Sequence, residues 1–91
     1  MIKVILLVKY NEGDIMKKEY KTYYKKLGLN IAYHRKMRDL TQEQLAEKMD
    51  ISQTHISKME VASVGISLDK LFQLAEILKV PPYKLLEFKE D

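Results

Sequence analysis

The sequence predicts an all-α domain, a compact five-helix bundle with one N-terminal β-strand. Three observations lead there. From Met16 onward, apolar residues recur at helical spacing. Thr41, Ser52 and Ser67 each precede such a stripe, where a helix N-cap belongs. The exception is Ile2–Tyr10, a β-branched apolar run with no helical stripe. At 91 residues there is room for one small domain. We divide it into an N-terminal strand-and-turn extension, 1–15, and a helical domain, 16–91.

The strand puts Ile2, Val4, Leu6, Val8 and Tyr10 on one face. Asn11-Glu12-Gly13-Asp14 follows with turn chemistry. A lone strand needs a partner edge for its backbone groups, and no second strand-like segment follows. The expected partner is the same strand of a second copy, paired through Ile2, Val4, Leu6 and Val8. Met16 is an alternative start, which would make 1–15 an extension.

The helices come next. Tyr20, Tyr23, Tyr24, Leu27 and Ile31 form the stripe of the first, which should end near Arg38-Asp39. Gly28 breaks or weakens it, at about 1 kcal/mol against Ala. Thr41-Gln42-Glu43-Gln44 reads as a capping box opening a second helix, with Leu45, Ala46 and Met49 inward. After a short break at Asp50-Ile51, Ser52 caps a third helix reaching Glu60, with Ile56 and Met59 inward. Val61–Ile66 is a loop. Ser67 caps a fourth helix with Leu68, Leu71, Phe72, Ala75 and Leu78 at a 3.6-residue period. Pro81-Pro82 ends it and opens a short fifth, with Leu85, Leu86 and Phe88 packing.

Composition narrows the function. The net charge of +3 conceals an asymmetry: residues 1–38 sum to +7 and residues 39–91 to −4. A basic segment beside an acidic one points to a polyanionic partner, nucleic acid or a membrane surface. The absence of Cys excludes disulfides, thiolate zinc sites and thiol nucleophiles, and fits a reducing cytosol. The run Val4–Val8 falls far short of the roughly 20 residues of a membrane helix. It is also too short for a signal-peptide core.

Two short helices joined by a tight turn, 41–49 and 52–60, are the helix-turn-helix arrangement. Residues 40–60 resemble the Cro/CI-type (XRE) family of phage and bacterial repressors through Gln42, Leu45, Ala46, Ile51, Ile56, Ser57 and Glu60. Ser67-Leu68 and the Leu71–Val80 pattern extend the resemblance to about residues 27–87. Ala46 is small where the two helices cross, and Ile51 and Ile56 plug the wedge between them. The third helix is left presenting Gln53, Thr54, His55 and Lys58, groups suited to base edges in a major groove. The bland alternative for each is a solvated side chain.

Gln42 resembles the family's phosphate-touching Gln, at a helix start whose free amides favour anions. Lys25, Lys26 and Ser57 complete the candidate phosphate contacts. The Lys–Tyr stretch 17–26 has two readings: lysines tracking a phosphate backbone, or solvated lysines flanking a tyrosine packing stripe. The resemblance also implies a structural ion pair, Arg35 with Glu60. Two departures stand out. Asp50 occupies the turn position usually held by Gly, and Asp tolerates left-handed geometry. Loop 61–66 lacks the family's basic residues and is apolar.

The reading is a sequence-specific DNA-binding transcriptional regulator, repressor-like and cytoplasmic. It would act as a homodimer on double-stranded DNA, with no cofactor, metal or small-molecule substrate. The alternative is a helix-turn-helix module used as a protein adaptor or antitoxin-like partner, which the apolar loop and the extra strand favour and the Gln/Thr/His/Lys face opposes. An enzyme is not expected: Ser57, His34 and His55 lack an orienting acid, and no phosphate loop or metal spacing is present.

Overall fold

The computed structural model describes residues 15–89. Ile2, Val4, Leu6 and Val8, expected in the strand, lie outside the described residues. Among the described residues, five α-helices follow a 3₁₀ turn at Lys18–Tyr20: α1 (Lys21–Met37), α2 (Gln42–Met49), α3 (Gln53–Glu60), α4 (Leu68–Leu78) and α5 (Pro82–Leu85).

Helix α1 begins at Lys21, later than the apolar stripe implies. No side chain caps its N-terminus. Lys17, Lys18 and Lys21 place positive charge at its start, against the helix dipole. The other starts follow local rules. Thr41 Oγ1 accepts from the Gln44 amide at 3.0 Å, and Gln44 Oε1 accepts from the Thr41 amide at 2.9 Å, a complete capping box. Ser52 Oγ accepts from the His55 amide at 3.1 Å. Ser67 Oγ accepts from the Lys70 amide at 3.2 Å.

The first four helices end alike, none on glycine. Asp39, Asp50, Ala62 and Lys79 take φ between 55° and 59°. The next amide then reaches back to a carbonyl of the last turn: Leu40 to Arg35, Ile51 to Ala46, Ser63 to Lys58 and Val80 to Ala75, at 2.9–3.1 Å. This is the Schellman closure. Asp50 thus holds the left-handed turn between α2 and α3.

The core is drawn from all five helices: Leu27 and Ile31; Leu45, Ala46 and Met49; Ile56 and Met59; Leu71, Leu74, Ala75 and Leu78; and Leu85. The stripe of α4 differs from the expected one. Leu68 is 66% and Phe72 49% exposed, whereas Leu74 is sealed. Apolar residues fill so much of α4 that they exceed the width of the buried face, and Leu68 and Phe72 fall to its flank. Tyr20, Tyr23 and Leu86, expected to pack, are also largely exposed; Tyr24 and Phe88 pack against the core.

Two polar contacts tie the periphery down. Arg38 donates to the carbonyls of Leu78 and Lys79 at 2.8 and 3.2 Å, placing a cation on the C-terminal end of α4. Asn30 Nδ2 donates to the carbonyls of Leu85 and Glu87 at 2.9 and 3.2 Å, fastening the C-terminal segment to α1.

Candidate nucleic-acid interface

The site is built on the α2–turn–α3 unit. Leu45, Ala46 and Met49 seat α2 inward, and Ile56 and Met59 seat α3. The opposite face of α3 is left outward. Gln53, Thr54 and Lys58 are exposed and Ser57 is half-buried. Spacings of three and four residues gather Gln53, Thr54, Ser57 and Lys58 on one side of the helix. His55 is placed differently: it is half-buried, and its Nε2 is sealed from solvent with no hydrogen-bond partner.

The far end of α3 is clamped. Arg35 Nε donates to Glu60 Oε2 at 2.7 Å and Arg35 Nη2 to Glu60 Oε1 at 3.1 Å, a bidentate pair with both side chains buried. Arg35 Nη1 donates to the Leu40 carbonyl at 2.8 Å. Gln42 Nε2 donates to Glu60 Oε1 at 3.0 Å. One carboxylate therefore joins α1, the start of α2 and the end of α3. Gln42, read from the resemblance as a phosphate contact, spends one amide proton inside the domain; its other amide proton and the α2 start remain available to an anion.

Gly28 supplies what sequence reasoning missed. A Cβ there would lie 2.7 Å from the Met59 carbonyl oxygen and closer still to that of Glu60. Side chain is excluded because α1 crosses directly over the backbone at the end of α3. The available signal was a glycine inside a helix, kept at a propensity cost of about 1 kcal/mol. The helix runs through Gly28 unbroken.

Lys25 and Lys26 part company. Lys25 precedes Gly28 by three residues and shares its side of α1, toward α3. Lys26 precedes Asn30 by four and shares the side that meets the C-terminal segment. The loop after α3 is apolar because it packs inward. Ala62, Gly65 and Ile66 are buried and Val64 packs against the core, while Val61 alone among its large apolar residues stands out, 65% exposed.

Among the described residues, no group of three or more His, Cys, Asp or Glu is placed to hold a metal ion. No described helix is long and apolar enough to cross a membrane.

The helix-turn-helix family model HTH_3 matches residues 31–85, more than half of the chain. The chain belongs to this helix-turn-helix family, of the Cro/CI (XRE) type. The helix-turn-helix chain is also similar to solved structures. One is the restriction-modification controller protein C.AhdI from Aeromonas hydrophila. It has 26% identity and a TM-score of 0.65, with 68% of this chain and 94% of that one covered. Another is a hypothetical transcription factor, NHTF, from Neisseria. It has 27% identity and a TM-score of 0.69, with 72% and 76% covered. The BldD DNA-binding domain of S. venezulae shares the fold at 24% identity and a TM-score of 0.66, with 72% and 99% covered. A search of curated proteins finds no match.

Proposed function

We propose that this helix-turn-helix protein is a sequence-specific, DNA-binding transcriptional regulator that inserts α3 into the major groove. The observation that carries the reading is the outward row Gln53, Thr54, Ser57 and Lys58 on a helix whose far end is fixed by Glu60. Gln53 can pair bidentately with adenine, and Thr54 can offer its methyl to thymine or its hydroxyl to either base. Lys58 and Ser57 lie beside them for the backbone. The α2 N-terminus, with Gln42, meets a phosphate through free amides and the positive end of the dipole. Lys25, on the α3 side of α1, adds positive charge nearby; Lys26 is assigned no contact. His55 is a supporting rather than a base-reading residue, because its ring is half withdrawn.

The protein acts in the cytoplasm as a homodimer on a two-fold operator with half-sites about one helical turn apart. That similar solved structures include a restriction-modification controller protein and a hypothetical transcription factor supports the reading. The adaptor reading loses one of its two supports, because loop 61–66 spends most of its apolar residues on the core.

The test is fluorescence anisotropy with labelled duplex from upstream of the protein's own gene, against scrambled duplex, across a salt series. Tight binding to one sequence with a steep salt slope is the expected result. Equal, weak binding to every sequence overturns the reading.

A further inference from the structure

An open groove of about 780 Å³ runs between α1 and the C-terminal segment. Leu29, Ala32 and Tyr33 line it from α1, and Val80 and Pro81 from the connection between α4 and α5. Asn30, also in the lining, donates to the carbonyls of Leu85 and Glu87, so the two walls are fastened together. No residue of α2 or α3 lines the groove. Its apolar side chains are not spent on the core: Leu29 is 67% and Tyr33 59% exposed, four residues apart on one side of α1. Three lysines share the lining, Lys36, Lys84 and Lys89, against one carboxylate, Glu87. Glu87 is taken up by Lys84, 3.1 Å away. Lys36 and Lys89 are exposed and have no ion-pair partner among the described residues. Helical spacing puts Lys26 on the Asn30 side as well. The DNA contacts assigned above use none of these cations.

We propose that this groove binds an acidic, amphipathic peptide segment of a partner protein. Charge complementarity selects the occupant. Unpaired lysines call for carboxylates, and the exposed Leu29 and Tyr33 call for apolar side chains. A peptide with acidic residues on one side and apolar residues on the other supplies both at once. A nucleic-acid backbone supplies charge alone, and would bring phosphates against Leu29, Ala32 and Val80. A small organic acid would stay half in water in so open a groove, whereas small-molecule sites bury most of their ligand's surface. The Asn30 latch holds the walls in place before binding, which spares the cost of ordering them. This surface is separate from the α3 face and stands whether or not α3 reads DNA.

The test uses the full chain and a fluorescein-labelled peptide of alternating Glu and Leu, about ten residues long. Anisotropy should show saturable binding, and the same peptide with Gln in place of Glu should bind about tenfold more weakly. Lys36→Gln with Lys89→Gln should weaken the acidic peptide by about fivefold, with helical content retained and duplex DNA weakened less. In amide NMR spectra the peptide should shift Tyr33, Lys36, Val80 and Lys89 and spare Gln53 and Thr54. No saturable binding, equal affinity for the Glu and Gln peptides, or no effect of the lysine variant overturns the proposal. Shifts confined to α3 overturn it as well, since the peptide would then be imitating DNA. A lysine variant that loses duplex affinity more than peptide affinity assigns the surface to nucleic acid instead.

Discussion

Gly28 and Glu60 meet backbone to backbone: the carbonyl oxygen of Glu60 occupies the space where a side chain on residue 28 would begin. This contact sets how close α1 lies to the end of α3, so it also sets the tilt of the outward face. Gly28→Ala gains helix propensity of about 1 kcal/mol, yet it forces a backbone carbonyl to move. Overpacking of that kind costs about 1–3 kcal/mol, and the net expectation is loss of stability in urea denaturation. Operator affinity should fall further than stability alone explains, because α3 shifts. A variant more stable than wild type would show that the helices separate freely.

The carboxylate of Glu60 accepts three hydrogen bonds from two residues, Arg35 and Gln42, so removing it differs from removing either of them. Glu60→Ala leaves Arg35 buried without its counter-charge, at a cost of about 3–5 kcal/mol. Against a typical total of about 5–15 kcal/mol, that unfolds or loosens the domain. Replacing both partners by apolar residues, Arg35→Met with Glu60→Leu, should recover most of the loss. Gln42→Ala removes one hydrogen bond to a charged acceptor, about 1.5–3 kcal/mol. Thermal denaturation of the three variants beside wild type checks the order. Equal stability of wild type and Glu60→Ala would remove the clamp from the account.

Much of this was legible because it is local. Thr41 with Gln44, Ser52 with His55, and Ser67 with Lys70 are three residues apart, so side-chain type alone places each cap. Asp50 was readable for the same reason, since the left-handed turn depends on one residue. On α4 the spacing found Leu71, Ala75 and Leu78 but not the edges of the buried face, because its apolar positions outnumber those that one buried face accepts. Only tertiary packing chose Leu74 over Leu68 and Phe72. The role of Gly28 was hidden as well, because its contact partner lies 32 positions away. Lys25 and Lys26 stand about 100° apart around α1, so helical spacing separates them once the partners of Gly28 and Asn30 are known.

Helix ends closed by non-glycine residues in left-handed geometry leave stability to be gained. An L-residue there costs about 1–2 kcal/mol in backbone strain. Lys79 is exposed and its side chain is not needed for the closure, so Lys79→Gly should stabilise. Glycine returns about 0.4–1 kcal/mol of entropy to the unfolded chain, leaving a net gain of up to about 1.5 kcal/mol. Ala62→Gly should gain less, because the Ala62 methyl is fully buried and its packing is lost. Urea midpoints of the two variants give the comparison. A destabilised Lys79→Gly contradicts it.

The outward face of α3 separates reading from attraction. Gln53→Ala removes a base-edge contact, expected to cost about 1–3 kcal/mol at the operator while leaving scrambled duplex unaffected. Lys58→Ala should weaken both duplexes alike and reduce the salt slope by about one. His55→Ala should change affinity little at constant fold, since the ring is half withdrawn and its Nε2 is sealed. Lys25→Ala should behave like Lys58→Ala, and Lys26→Ala like wild type, because only the first shares the Gly28 side of α1. Anisotropy titrations at several salt concentrations resolve all five variants. If Lys26→Ala weakens binding as much as Lys25→Ala, the protein presents a different side of α1 to DNA.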